Sequence, residues 1–261
     1  MKDRVAPDPL PAAATVAGHI GAAERIFVLS GAGMSTESGI ADFRGPNGLW
    51  TRNPAAAKMF DIQAYRADRE VRVAAWEQRY RSPIRTAEPN DGHRALAKIE
   101  DERSVTIATQ NIDGLHQRAG SRNVLELHGT FWASQCLDCG DRLPITETFQ
   151  RWELGETDPP CRQCGGILRT ATVAFGQSLD PGVWEQAVQA ARGADLALAI
   201  GTSLSVQPAA SLCTLASTAG APVIVVNEQA TDFDGQADLV IRGSIGALLS
   251  AVARELGVGA G

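Results

Sequence analysis

The sequence predicts an α/β protein built on a Rossmann-type, doubly wound parallel sheet, with a small zinc-binding and helical module inserted into it. Three observations carry that expectation. Short apolar runs rich in β-branched residues recur along the chain, and amphipathic stretches of helical period lie between them, as in successive β-α-β units. The first run ends in a glycine-rich turn, Gly31-Ala-Gly33, the kind of turn that opens a ligand crevice at the carboxyl end of a parallel sheet. One polar, Gly- and Pro-rich stretch interrupts the alternation and carries two C-x-x-C pairs, which marks a metal ribbon rather than a sheet strand.

Residues 1–20, with Pro7, Pro9 and Pro11 among alanines, read as a mobile lead-in that becomes helical toward His19. Strands are expected at Arg25–Ser30, Val105–Thr109, Leu196–Ile200, Val223–Asn227 and Leu239–Ile241, each apolar enough to be buried on both faces. Helical periods cover His93–Glu100, Trp184–Arg192, Ala209–Thr218 and Ile245–Leu256. Two stretches break the rhythm: Trp50–Ala87 is charged and Ala-rich and reads as helices, and Gln135–Arg169 is the polar ribbon. The expected division is therefore a Rossmann-type domain from 21–52, 88–134 and 170–261, and a small domain from 53–87 and 135–169.

With 261 residues, 44% hydrophobic and 21% charged, the chain is long enough for a real core and is neither disordered, collagen-like nor membrane-spanning in composition. A net charge of −6 without a Lys/Arg run gives no electrostatic footprint for nucleic acid or anionic lipid. The first 18 residues contain no apolar run of the kind an export signal needs. The expected compartment is the reducing cytoplasm, where cysteines persist as thiolates.

Cys136, Cys139, Cys161 and Cys164 form the two pairs, with 22 positions from Cys139 to Cys161. Two residues between thiolates let both sulfurs of a knuckle face one ion, and two knuckles complete a closed tetrahedral shell, which makes a structural zinc site. Gly140 and Gly165, directly after the knuckles, free backbone amides to turn toward sulfur. A pair of redox dithiols is the competing reading. The fifth cysteine, Cys213, lies in a helical run and reads as a small buried hydrophobe.

Gly31 and Gly33 let backbone approach a pyrophosphate at a strand-to-helix turn, although the third glycine arrives only at position 39, too late for G-x-G-x-x-G. Taken alone this is a weak signal, and a tight turn without a ligand is the competing reading. Later strand ends carry Gly201-Thr202-Ser203 and Asn227-Glu228, small and polar groups where an α/β sheet binds its ligand; Glu228 suits ribose hydroxyls. Thr109-Gln110-Asn111-Ile112-Asp113-Gly114-Leu115-His116 follows another strand end, and His128 comes soon after. So many polar groups are costly to bury without partners, which points to a reaction centre. His19 lies in the lead-in and His93 reads as first-turn helix chemistry, so His116 and His128 are the candidate bases. Spacing alone does not choose between them.

The run Gly31 to Arg44, the segment Thr109 to His116, His128-Gly129, the two C-x-x-C pairs, Phe175-Gly176, Gly201-Thr202-Ser203 and Asn227-Glu228 occur in the order seen in sirtuins, and the chain resembles that family from about Arg25 to Leu249. The resemblance implies an NAD-dependent protein-lysine deacylase that binds acyl-lysine peptides between the two domains and releases nicotinamide and O-acyl-ADP-ribose. Carried over by position, Gly31, Ala32, Thr36, Phe43 and Arg44 resemble the cofactor loop, and Gln110, Asn111, Ile112 and Asp113 the nicotinamide pocket. Gly201, Thr202, Ser203, Asn227, Glu228 and Ile245 resemble the contacts to phosphates, adenosine ribose and adenine. Val173, Phe175 and Gly176 resemble the segment that grips the peptide as an added strand. His128 resembles the general base, and His116 is then structural.

The chain departs from the family pattern at Ala41, where the family usually has Pro, and at Gln177, where it usually has Glu. A Tyr-x-x-Arg pair for acidic acyl groups is missing: Arg79 stands three positions after Trp76, not after Tyr. The Arg72 to Trp76 region is similar to class II sirtuins, and an ordinary amphipathic helix face is its competing reading. Rival functions are mono-ADP-ribosyl transfer, a hydride-transferring dehydrogenase, which the glycine spacing opposes, and a non-enzymatic zinc module, which the crowded polar centre opposes.

Overall fold

The structure, a computed structural model, describes residues 5–6, 9–42, 45, 48 and 58–258. Its strands in chain order are β1 (Val5–Ala6), β2 (Arg25–Ser30), β3 (Ser104–Thr109), β4 (Val124–Glu126), β5 (Gly129–Cys136), β6 (Arg142–Pro144), β7 (Leu168–Thr172), β8 (Leu196–Ile200), β9 (Val223–Val226) and β10 (Leu239–Ile241). The α-helices among the described residues are α1 (Pro9–Ala22), α2 (Ile62–Ala67), α3 (Arg69–Tyr80), α4 (Asp91–Glu102), α5 (Leu115–Arg118), α6 (Ile145–Glu153), α7 (Pro181–Arg192), α8 (Ser211–Thr218) and α9 (Ile245–Glu255).

Seven strands form one sheet in the order β1-β10-β9-β8-β2-β3-β4, and every pairing in it is parallel. The chain runs from β2 out through β3 to β4 and later returns on the other side of β2 for β8, β9 and β10. This reversal places a crevice at the carboxyl ends of β2 and β8, where the two half-sheets diverge. The central strands β2, β8 and β9 are buried on both faces and sort their side chains by alternation. Ile26 and Val28 of β2, Leu198 of β8 and Ile224 of β9 pack with α1, α4 and α9; Phe27 and Leu29, Ala197 and Ala199, and Val223 and Val225 pack with α7 and α8. Cys213 belongs to this second cluster with no exposure, and burial pushes its thiol up to about 12, so it acts as a small inert hydrophobe.

All five expected strands form. The sequence reading missed β4, only three residues long, and β1, a two-residue edge pairing Val5 with Val240. The reading of residues 1–20 as a lead-in outside the fold is corrected for 9–20. Helix α1 buries Ala12, Ala13, Val16, Ala17 and Ile20 against the sheet and α9. Alanines on one stripe let the helix lie close to its neighbours, a packing role that composition alone does not distinguish from a flexible Ala/Pro tract.

A separate antiparallel sheet, β6-β5-β7, carries the cysteine segment. Its strand β5 starts at Gly129, ahead of the expected insert boundary at 135, and β7 continues past 169. Trp76 of α3, Ile84, Phe131 of β5, Ile145 and Phe149 of α6 and Leu168 of β7 share one small core, so the helical stretch and the ribbon pack as a single unit. Within it Tyr80 stacks on Trp152 at 4.4 Å and meets Phe149 edge-on at 5.5 Å. No described helix is long and apolar enough to cross a membrane.

If α1 is part of the core, Ile20→Ala, at a position with no exposed surface, is expected to destabilise the protein by about 2–5 kcal/mol. Urea unfolding of the two proteins checks this; an unchanged midpoint would show that the helix does not contribute.

Candidate active site

At the end of β2 the backbone turns through Gly31 and enters a 3-10 helix, Ala32–Ser38. The turn is held against the end of β8: Gly31 N–H donates to Ile200 O at 3.0 Å and Gly33 N–H to Gly201 O at 2.8 Å. A Cβ on Gly31 would stand 2.8 Å from Gly201 O, and one on Gly33 the same distance from Gly201 Cα. Gly201 itself sits at φ 62°, and a Cβ there would collide with Met34 N. All three positions therefore require glycine because the two turns pack backbone against backbone, a constraint that holds with or without a ligand.

Below this turn lies a cluster of buried polar groups. Ser35 donates to Asp113 Oδ2 at 2.7 Å, and Asn111 Nδ2 donates to Gly31 O at 3.0 Å and Ser35 Oγ at 3.1 Å. Asp113 Oδ1 accepts from Leu115 N–H at 2.9 Å, while its carbonyl accepts from Trp132 Nε1 at 2.6 Å. Burial raises the Asp113 carboxyl above its ordinary range, against the opposing pull of the Leu115 and Ser35 hydrogen bonds. Gln110 Nε2 reaches across to Thr202 Oγ1 at 2.9 Å, joining the end of β3 to the loop after β8.

The two candidate histidines separate clearly. His116 is 1% exposed, its Nε2 lies 2.9 Å from Ser30 Oγ, and burial pushes its pKa down to about 3, so it is a neutral packing group. His93 is the third residue of α4; it closes a capping box with Asn90, as first-turn chemistry predicts. Its pKa is pushed down to about 4 by burial, and its ring meets His116 edge-on at 4.9 Å. His128, just before β5, lines the crevice, and its Nδ1 is 3.0 Å from Gln110 O. A carbonyl only accepts, so Nδ1 carries the proton and Nε2 is the basic atom. Burial lowers the His128 pKa, partly offset by the Gln110 bond.

These groups line one cavity of about 1430 Å³ between the sheet's carboxyl edge and the small unit. Gly31, Ala32, Thr36, Gln110, Asn111, Ile112, Asp113, His128, Gly201, Thr202, Ser203, Asn227, Glu228 and Ile245 are all on its wall. So are Val173, Phe175 and Gly176. Val173 N–H donates to His128 O at 2.8 Å, and Phe175 bridges in parallel to Asp61. Phe43 and Arg44 lie outside the described residues.

Four contributing residues escaped the sequence reading. Ser35, 1% exposed, joins Asn111 to Asp113. Asn90 caps α4 and also donates to Met34 O at 2.9 Å and Ser38 Oγ at 3.1 Å, tying the 3-10 helix after β2 to a helix start. Glu37 accepts from Ser244 Oγ at 2.9 Å and Gly246 N–H at 3.2 Å at the N-terminus of α9, where a carboxylate meets the positive end of the helix. Trp132 holds the Asp113 carbonyl. The Asn90-x-x-His93 spacing was a readable capping signal; the others are long-range pairings that a linear pattern does not carry.

The four cysteine sulfurs lie within 4.8 Å of one another, with Cys136–Cys164 and Cys139–Cys161 at 3.6 Å. A tetrahedral zinc–thiolate shell has sulfurs about 3.8 Å apart, from a Zn–S bond near 2.3 Å. The short approaches cross between knuckles rather than closing each C-x-x-C, which fits one ion and not two dithiols. Asp138 and Gly166 amides point to Cys136 and Cys164 sulfurs at 3.4 Å, and Gly140 and Gly165 take the left-handed conformation at φ 76° and 74°. The four thiolates fit a single zinc with no open coordination position.

A family model described as the Sir2 family matches residues 31–208. The chain is 49% identical over 235 residues, 89% of its length and 98% of the relative's, to NAD-dependent protein deacetylase 2 of Streptomyces coelicolor. It is 38% identical over 242 residues, 92% and 94% of the two chains, to NAD-dependent protein deacylase 2 of Pyrobaculum aerophilum. Among solved structures, a Sir2 with a deacetylated p53 peptide and 3'-O-acetyl ADP ribose superposes with a TM-score of 0.87 at 31% identity, covering 94% of this chain and 98% of the other. A Sir2 bound to a propionylated peptide gives 0.84 at 29% identity, with the same coverage.

Because the thiolate cluster joins β5 to the segment before β7, removing zinc is expected to unfold the small unit. Cys161→Ser, or chelation of the native protein, should release about one zinc per chain and lower Tm. Metal content by mass spectrometry together with a thermal melt tests this; a fully stable zinc-free protein would rule out the structural role.

Proposed function

The chain belongs to the Sir2 family, and from that premise we propose that it is an NAD-dependent protein-lysine deacylase acting on acyl-lysine peptides, with nicotinamide and O-acyl-ADP-ribose as products. The observation that carries this reading is the His128 ring, set on the cavity wall with Nδ1 pinned by the Gln110 carbonyl and Nε2 left as the base.

The residues divide the work. Ala32 and Thr36, with Thr202 and Ser203 opposite, line a polar floor at the start of the 3-10 helix that suits a pyrophosphate. Asn227 and Glu228, at the end of β9, face the same cavity and suit ribose hydroxyls. When bound, NAD supplies the ribosyl carbon that receives the acyl oxygen as nicotinamide leaves. Asn111 and Asp113, fixed by Ser35, are pre-ordered, so little reorganisation accompanies the change of charge at that carbon. His128 takes a proton from a ribose hydroxyl at Nε2. Such a base accounts for about 10²–10⁴-fold in rate, and positioning and electrostatics carry the remainder.

The acyl-lysine peptide fits beside Val173–Gly176, whose backbone already pairs with residues 60–62 and offers a strand edge. The net charge of −6 favours basic, lysine-bearing segments over acidic ones. The closed thiolate site suits a reducing cytoplasm.

Two measurements test this. His128→Ala is expected to lower kcat by about 10²–10⁴-fold while NAD still binds by calorimetry; near-normal turnover would sink the assignment. His128 must be neutral to act, and its pKa is depressed below histidine's ordinary 6.5. Activity should therefore be present at neutral pH and fall as pH drops through a midpoint below 6.5, a limb that kcat/KM against pH resolves.

A further inference from the structure

Behind the main cavity, where α3 packs on β7, lies a second void of about 10 Å³, room for one water-sized particle. Its lining is rich in donors. Among the described residues, Trp76, 1% exposed, has an Nε1–H with no hydrogen-bond partner, and Arg169, 6% exposed, has an Nε–H in the same state. Arg79 lines the void as well; among the described residues its guanidinium has no carboxylate partner and rests over the Phe60 ring at 5.1 Å.

The local charge is equally one-sided. Arg169 spends its other nitrogens on neutral oxygens, Gln177 Oε1 at 2.5 Å and Thr172 Oγ1 at 3.1 Å. Gln177 thus supplies an amide oxygen where a carboxylate would also supply charge. Asp158 is taken by Arg72 at 3.0 Å and Arg69 at 3.8 Å. Tyr65 donates its hydroxyl to Leu168 O at 2.9 Å, and burial pushes its pKa upward, so it stays neutral. Burial and the neighbouring Arg169 charge lower Arg79 to about 10, still protonated at neutral pH. A buried Arg169 and a half-buried Arg79 therefore share this wall, and among the described residues neither faces a carboxylate.

We propose that this void binds one small monovalent anion of halide size, held by Trp76 Nε1, Arg169 Nε and the Arg79 guanidinium. A water molecule would satisfy the donors yet leave the buried Arg169 charge uncompensated, which is costly in a low-dielectric interior. A halide accepts several N–H donors at once and removes that imbalance. Met59 and Arg79 line both cavities, so the ion reaches its site from the substrate cleft by displacement of those side chains. Bound there, it fastens α3 to β7 immediately before the peptide-gripping segment. This inference is independent of the deacylase reading.

Crystals of the full-length protein grown in bromide should give an anomalous peak between Trp76 Nε1 and Arg169 Nε. In solution, replacing gluconate by chloride at equal ionic strength should raise Tm by about 2–4 °C. The increment should vanish in Arg169→Met and in Gln177→Glu, the latter bringing its own negative charge to Arg169. If Arg169→Met fails to fold, Gln177→Glu alone decides. Ordinary water at the position, bromide found only elsewhere, or a chloride increment that persists in Gln177→Glu overturns the proposal.

Discussion

Much of this molecule depends on a contact between two backbones. At the point where the sheet reverses direction, the turn after β2 lies against the turn after β8, so near that Gly31, Gly33 and Gly201 have no room for a Cβ. The hydrogen bonds Gly31 to Ile200 and Gly33 to Gly201 lock the approach. It sets where the 3-10 helix begins and where Thr202 meets Gln110. Any larger side chain would push the strand ends apart and open the polar cluster beneath to water.

That cluster is the second layer of the same constraint. Ser30, Thr109, Asn111, Ser35 and Asp113 are buried and linked in sequence by short hydrogen bonds. In a low-dielectric interior each link is stronger and each missing one more costly, so the network holds one geometry. His116 belongs to it as a neutral member bound to Ser30. His128, by contrast, is anchored through one nitrogen only and faces the cavity. Two histidines twelve positions apart thus receive opposite roles from burial and anchoring.

The small unit completes the cleft from the other side. It is too small to have an extensive apolar core, and it combines a modest aromatic cluster with the thiolate site. Metal site and packing hold this unit together, and the cavity lies between it and the sheet. Where α3 meets β7, Arg79 and Arg169 line one small void with no carboxylate beside them among the described residues, in a molecule that is acidic as a whole.

Much of this was legible along the chain. The five main strands, the helices that alternate with them, the C-x-x-C pairs and the glycine turn are local patterns, because they depend on side-chain period and on spacings of a few residues. The fate of α1 was not legible, because an Ala/Pro-rich stretch looks alike whether it packs or floats; only contact with α9 and the sheet distinguishes the two. Ser35, Glu37 and Asn90 were missed for a related reason: their partners lie tens to hundreds of positions away. By itself the sequence determined the kind of fold, the metal ligands and the polar groups available for chemistry. The tertiary structure decided which histidine is a packing group and which faces the cavity, and where two arginines would meet without a counter-charge. Those outcomes turn on burial and on what stands opposite each group, properties of three-dimensional neighbourhood that no spacing along the chain encodes.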